Sequence, residues 1–331
     1  MRPLIPLIVL AFLPTPALAD HMGPSGVGSG GGLNVISPET LDEGHAAVGF
    51  RFTYNQPAHR SDAELEALAA QGVHAHNTNY NLNASVGAAY GITHELTVSA
   101  ELPYVRRDHL REGEGINEVV QLGDVAGIGD LSLLAKYRLT HGESGGFAVL
   151  AGLKIPTGST RKRDLGGARL ETEHQPGTGS WDPVIAAAGG ATLGSLQVNA
   201  SALYQFSGRG AQHTRLGDRA QAGIALSHRF GPAEQHDDAE DHHHGHIAPH
   251  GHRSWDAFVE LTGEWEGHQV VGGDVEEASG GKSVWLTPGA RFNFASSFSI
   301  TAAVGVPVWQ RIRASHPDNN YRLTLSVGKG F

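Results

Sequence analysis

The chain contains no cysteine, which excludes a disulfide framework, thiolate metal sites and cysteine nucleophiles. Charge is scarce: 18% of the 331 residues are charged, and the formal net charge is −10. Such an acidic balance argues against a nucleic-acid partner. Only one apolar run is long enough to notice, at the N-terminus, and the mean hydropathy is −0.23. These features exclude a helical membrane protein. Glycine is in excess, at 45 residues, roughly twice its ordinary usage. Length alone suits about two soluble domains, but the glycine and the short alternating runs point to one large all-β unit.

The first residues read as an address. Arg2 supplies a basic start, Leu4 to Leu13 an apolar run too short to span a bilayer, and Ala17-Leu18-Ala19 a cleavage signal before Asp20. A secretory signal peptide over residues 1–19 is expected. Residues 20–41 begin with a Gly/Ser-rich stretch and read as a flexible segment.

From residue 42 onward the sequence alternates with period two, the signature of strands whose side chains point to opposite faces. Tyr80, Leu82, Ala84, Val86, Ala88 and Tyr90 are apolar, while Asn79, Asn81, Asn83, Ser85 and Gly87 between them are polar or small. The pattern recurs about twelve times up to Phe331, most weakly near Val184–Thr192.

Three features separate a membrane barrel from a soluble sandwich. Aromatics sit at strand ends on the apolar face, among them Tyr54, Tyr80, Tyr104, Phe206, Phe230, Trp255, Trp265, Phe294 and Tyr321. Two bilayer interfaces select such rings. The opposite face carries charge inside strands: Arg51, Glu101, Lys136, Arg138, Lys154, Arg219, Arg229, Glu260, Arg291 and Arg322. Between two packed sheets each would need a costly partner, whereas a lumen offers water or a partner across it. Connections alternate between short, as at Gly91–Glu95 and Ala295–Ser297, and long, as at Pro57–His76, Val105–Gly129 and Thr157–Asp182. The expected fold is an all-β, antiparallel up-and-down transmembrane barrel over residues 42–331, with about 12 strands and long outer loops. Its location would be the outer membrane of a Gram-negative bacterium, with its lipid as partner. The last strand ends on Phe331, like the signal that barrel-assembly machinery reads, although Lys329 occupies a position that is usually apolar.

Three segments carry a resemblance: Gly127-Ile128-Gly129-Asp130-Leu131, Gly152-Leu153-Lys154-Ile155-Pro156-Thr157-Gly158 and Gly177-Thr178-Gly179-Ser180-Trp181-Asp182-Pro183. With them the chain resembles the MetA-pathway-of-phenol-degradation family of outer-membrane proteins. The resemblance implies a barrel and movement of small solutes; it does not establish phenol as the ligand.

The most specific local feature is a His-rich loop at 231–253, carrying His236, His242, His243, His244, His246, His250 and His252 among acidic residues. Imidazole and carboxylate ligands suit a divalent metal, Zn(II), Cu(II) or Ni(II); the bland reading is a solvated low-complexity insertion. Strand parity puts this loop in the periplasm. The scattered histidines His59, His74, His76, His109, His174, His213, His268 and His316 fall mostly in outer loops, where solvated imidazoles are ordinary and a pH-sensitive mouth is the sharper alternative.

Ser61-Asp62-Ala63-Glu64 is a capping box predicting a helix of about ten residues in the first outer loop, packed on the rim or folded over the lumen. The strand charges together with Asp256 and Glu264 leave a nominal excess of four positive charges in the lumen. That suggests anion preference if the pore is open, or ion pairs that plug it. Trp285 and Trp309 read as inward and would either help form a stacking site for a hydrophobic or aromatic solute or sit at a bulge or rim. No Ser-His-acid set aligns convincingly, so enzymatic chemistry is not expected and no cofactor is required. The sequence thus favours a channel or transporter for small solutes. The alternatives are a metal-binding outer-membrane protein acting through the His-rich loop and, less favoured, an outer-membrane hydrolase.

Overall fold

The computed structural model describes residues 33–115, 118–142, 145–230, 253–294 and 297–331. In chain order the elements are β1 (Ala46–Pro57), α1 (Asp62–Ala69), β2 (His76–Asn77), β3 (Tyr80–Gly91), β4 (Leu96–Gly113), β5 (Val119–Ile128), β6 (Leu131–Gly142), β7 (Gly145–Ile155) and β8 (Asp182–Leu193). They continue with β9 (Leu196–Gln205), β10 (Arg219–Phe230), β11 (Ser254–Glu266), β12 (Val270–Val271), β13 (Asp274–Val275), β14 (Gly281–Phe294), β15 (Phe298–Ile312) and β16 (Asn319–Gly330).

Twelve long strands pair antiparallel, each with its sequence neighbour, and β1 pairs with β16 to close the sheet into a barrel. Closure is what lipid demands, because an open edge would leave backbone groups without partners. The register from Ala47↔Gly330 to Gln56↔Tyr321 runs without a slip. It keeps Phe50 and Phe52 on the same face as Val327 and Leu325. That face is exposed along its length, with Val86 at 61%, and is the lipid belt.

Aromatic rings bound the belt. At the outer end Tyr54 stacks between Tyr80 and Tyr321, and Tyr204 lies against Phe206 and Trp265. At the other end Phe230 stacks on Trp255, and Phe294 lies between Phe292 and Phe298. Tyr80 and Tyr90 on β3 are ten residues apart; at roughly 3.3 Å per residue and a tilt of about 40° this gives about 25 Å, the height of an outer-membrane apolar band.

Two parts of the fold depart from the sequence reading. The stretch 105–129, expected as a loop, is a hairpin: β4 runs on to Gly113 and β5 pairs with it, with a bulge around His109, whose φ is 53°. Standing beyond the bilayer, this hairpin needs no lipid-facing face, so it shows no alternation to read. Its apolar residues Leu110, Leu122 and Val125 instead form a small core with Leu170 of the loop after β7.

The second departure is at the N-terminus. Residues 33–41, the end of the segment expected to be flexible, run through the barrel interior. Residues 1–32, including the expected signal peptide, lie outside the described residues.

Helix α1 forms as its capping box predicts. Ser61 Oγ accepts from the Glu64 amide at 3.3 Å, and the Glu64 carboxylate accepts from the Ser61 amide at 2.7 Å. It packs against Gly113 of β4, with Leu65 fully buried and Asp62 paired to Arg111, which is the rim reading. The connection from β10 to β11 leaves the end of the barrel where β1 starts and β16 finishes, the periplasmic end on strand parity. Its residues 231–252 lie outside the described residues, and with them all seven histidines of the metal reading, His236, His242, His243, His244, His246, His250 and His252.

Candidate functional site

The interior is built from the inward phase of each strand. Most of its charges are ion-paired. Arg322 makes a two-pronged pair with Glu264, at 2.9 and 3.2 Å. Arg229 meets Asp256 at 2.9 Å and Arg219 meets Glu266 at 3.1 Å. Lys154 reaches Asp182 at 2.7 Å and Asp130 at 2.9 Å. Arg291 donates to Thr301 Oγ1 at 3.3 Å, and Glu101 lines a cavity at the outer end of the lumen. The excess positive charge counted from strands alone is offset by four carboxylates the count omits: Glu39, Asp130, Asp182 and Glu266. The arrangement is therefore the ion-paired one, not a net cationic pore.

Trp285 faces inward and is fully buried. Arg322 lies over its ring at 4.2 Å, and its indole N–H donates to Ser283 Oγ at 2.6 Å. Trp309 does not join it. A bulge where Trp285 pairs with Pro307 turns Trp309 outward, where it is exposed. The bulge alternative therefore holds for Trp309, and the two-tryptophan stacking site is not formed.

The remaining lumen charges hold a peptide. Glu260 accepts from the amides of Asn34 and Val35, at 3.0 and 3.3 Å, and from Asn34 Nδ2 at 2.7 Å. Arg51 donates to Leu33 O at 2.8 Å and to Asn34 Oδ1 at 2.7 Å, and Gln221 donates to Asn34 O at 2.8 Å. Lys136 donates to Ser37 O at 3.3 Å and Arg138 pairs with Glu39 at 2.8 Å. Ile36 is buried against Leu150, Ala188, Ala186 and Leu203.

The segment passes from the level of Glu260 to the periplasmic mouth, where Thr40 donates to His94 O at 2.6 Å. The wall makes room for it. A Cβ at Gly190 would sit 3.1 Å from Pro38 Cδ and 2.4 Å from Asn199 Oδ1, and one at Gly223 would lie 3.0 Å from Val35 Cγ2. Small residues on β8 are therefore spaces for the plug, which is why that strand gives the weakest alternation.

At the outer end the three segments that carry the family resemblance converge. Asp130 accepts from the Gly158 amide at 2.9 Å, from the Thr178 amide at 2.8 Å and from the Thr178 hydroxyl at 2.7 Å, besides pairing with Lys154. Gly158 and Gly177 meet backbone to backbone; a Cβ on Gly177 would be 2.5 Å from the Gly158 carbonyl carbon. Asp182 accepts from the Gly208 amide at 2.9 Å and from Gln205 Nε2 at 3.1 Å. This knot ties the loops after β7 and β9 to the rim. Below them is a partly open cavity lined by Asp130, Lys154, Asp182, Glu101 and Arg219 beside Pro103, Val105, Pro176 and Leu216. Asp130, Thr178 and Asp182 all lie in those three segments, but only the fold shows that they meet.

Above the cavity four outer-loop histidines of the scattered set lie among carboxylates. His76 is buried, and burial together with the neighbouring His174 and His316 holds its imidazole well below the usual pKa, hence neutral. Burial and then the nearby Glu171 push Glu173 well above the ordinary carboxylate range. Glu112, 3.6 Å from His74, is raised to about 7 by burial and by Glu171.

A closed sheet with an apolar, aromatic-bounded exterior and a polar, ion-paired interior defines an outer-membrane β-barrel. The chain matches the family described as "Putative MetA-pathway of phenol degradation" over residues 42–315 and belongs to it. Among solved structures it is similar to the COG4313 outer membrane channel from Pseudomonas putida F1, with 17% identity, 88% of this chain and 97% of that chain covered, and a TM-score of 0.57. The toluene transporter TodX of Pseudomonas putida shares 12% identity over 89% of this chain and 91% of its own, with a TM-score of 0.39. Among curated proteins no relative matches.

Proposed function

We propose that this protein is an outer-membrane channel for small amphipathic solutes whose interior is occluded by its own N-terminal segment. One observation carries the reading: the periplasmic half of the lumen is filled by a peptide outside the barrel wall, held by hydrogen bonds and one buried isoleucine. Twelve strands enclose more space than the roughly eight whose side chains fill their own interior. A filler that is not wall can leave without unfolding the barrel. The cavity above it places five ionisable residues beside four apolar ones, which suits a solute with a polar group on an apolar frame. The similarity of the fold to an outer membrane channel supports the reading. Covalent chemistry is not part of it. The strand ending at Phe331, which closes the barrel against β1, is proposed to engage the assembly machinery.

The test is planar-bilayer conductance of the refolded chain lacking residues 1–19. Discrete channel openings are expected, more frequent when the plug contacts are weakened. A folded barrel that stays silent both with its native contacts and with weakened ones would reject the channel.

A further inference from the structure

We propose that His76, His174 and Glu173 form a binding site for a divalent transition metal, Zn(II) foremost, which clasps the outer loops together. The three residues come from two parts of the cap: His76 opens β2, while Glu173 and His174 end a 3-10 turn (Thr172–His174) in the loop after β7. His316, from the turn between β15 and β16, is the fourth member.

One ligand atom from each of His76, Glu173 and His174 lies within 4.8 Å of the others. Glu173 Oε1 is 3.8 Å from His76 Nδ1 and 3.7 Å from His174 Nε2. Tetrahedral Zn(II) with bonds of about 2.0–2.1 Å sets its ligands about 3.3 Å apart. The two Glu173–His separations need to shrink by a few tenths of an ångström, and the two histidine ligand atoms, within 4.8 Å of each other, must also draw together. His316 does not compete for the metal through the same atoms. Its Nδ1 is 2.9 Å from His76 Nε2, so it can accept the N–H that His76 has left over when Nδ1 is the ligand. Such a partner fixes the tautomer and the ring orientation of a metal-bound histidine.

The electrostatics agree. All three histidines are nine-tenths buried or more, and Glu173 lies with Glu112, Glu171, Glu266 and Glu276. A divalent cation is the natural complement to that many carboxylates. His76, Glu173 and His316 also line a small cavity, which has room for about one water at the fourth position. Bound metal would join β2 and the loop after β7, with the β15–β16 turn held through His316. The proposal stands apart from the channel reading: the metal could bind whether or not the barrel conducts.

Co(II) is the probe, titrated into the refolded full chain in detergent, because its visible spectrum distinguishes a tetrahedral site from solvated loop histidines. One equivalent with a tetrahedral band, displaced by Zn(II), is expected. It should persist when the seven histidines between 236 and 252 are replaced by Gln, and disappear in His76→Ala and in His174→Ala. His316→Ala should keep the band but weaken binding by roughly 10- to 100-fold. Absence of a tetrahedral band from the unsubstituted chain overturns the proposal without reference to any variant. So does its survival in both His76→Ala and His174→Ala.

Discussion

Replacing Glu260 by Ala tests whether the N-terminal segment is a removable plug. The Glu260 carboxylate receives three donors from Asn34 and Val35. Hydrogen bonds to a charged group are each worth about 1.5–3 kcal/mol, but they do not add, since freed donors recover water. Breaking one side of a buried charged contact typically costs about 3–5 kcal/mol. Arg51, Gln221 and the burial of Ile36 remain, so the segment should loosen from its tip, residues 33–35, rather than leave altogether. Taking about 3 kcal/mol, the released population rises about 100-fold, at 1.4 kcal/mol per factor of ten. The absence of native cysteine makes the assay clean: Leu33→Cys introduces a unique thiol. Its labelling rate in the folded barrel should rise about 100-fold in the Glu260→Ala background, with Glu260→Gln, which retains one acceptor, in between. Channel open probability should rise in parallel. Equal labelling in the two backgrounds, with the barrel folded in both, would refute the idea that these contacts hold the segment.

Other sites give further expectations. Asp130→Ala removes the acceptor shared by Lys154, Gly158 and Thr178. It should cost about 3–5 kcal/mol of local stability, read as faster proteolysis within 156–181 while the barrel stays intact. Gly177→Ala drives a Cβ into the Gly158 backbone and should destabilise the same loop by about 1–3 kcal/mol, with Ala at Gly167, which has open space but a φ of +87°, a milder change by hydrogen exchange. Glu112 has its folded pKa raised to about 7 from 4.5, so its contribution to stability is fully present below about pH 4.5 and is lost as pH rises to about 7. Glu112→Gln should therefore leave thermal stability unchanged near pH 4 and raise it near pH 8, by up to roughly 3 kcal/mol. A stabilisation seen at both pH values would exclude ionisation as the cause.

The barrel was legible because its rule is local. A strand with lipid on one side and a polar interior on the other must alternate, and Phe50 to Tyr54 or Leu323 to Val327 show it without reference to the rest of the chain. What was illegible depends on distant partners. Asn34 and Glu260 are 226 residues apart, and nothing in Leu33-Asn34-Val35-Ile36 announces a binding site inside a barrel. The small residues Ala186, Ala188 and Gly190 blurred β8 for the same reason: they are shaped by a neighbour that is not their sheet partner. His76, His174 and His316 look scattered until the loops fold over the rim.

The interior charges show how the two levels are linked. A strand charge counted alone suggests a field, and the strand residues by themselves favour anions. The fold adds Glu39 through the plug and Asp130, Asp182 and Glu266 through the strand ends and the turns they lead into, and each sits within 3.1 Å of a basic partner. Selectivity is then a property of the state, not of the wall. While the plug is seated, Arg138 is matched by Glu39, and Arg51 and Lys136 are engaged by the peptide's carbonyls. Releasing the segment would uncover three basic groups together with Glu260 and remove Glu39, raising the net charge of the periplasmic half of the path by one. Electrostatic preference for anions should therefore appear only on opening. A refolded chain lacking residues 33–41 should show a reversal potential shifted toward anions relative to the intact chain, and equal reversal potentials would refute it. Loosening of the tip in Glu260→Ala would uncover Arg51 alone, because Lys136 and Arg138 hold Ser37 and Glu39 further along the segment.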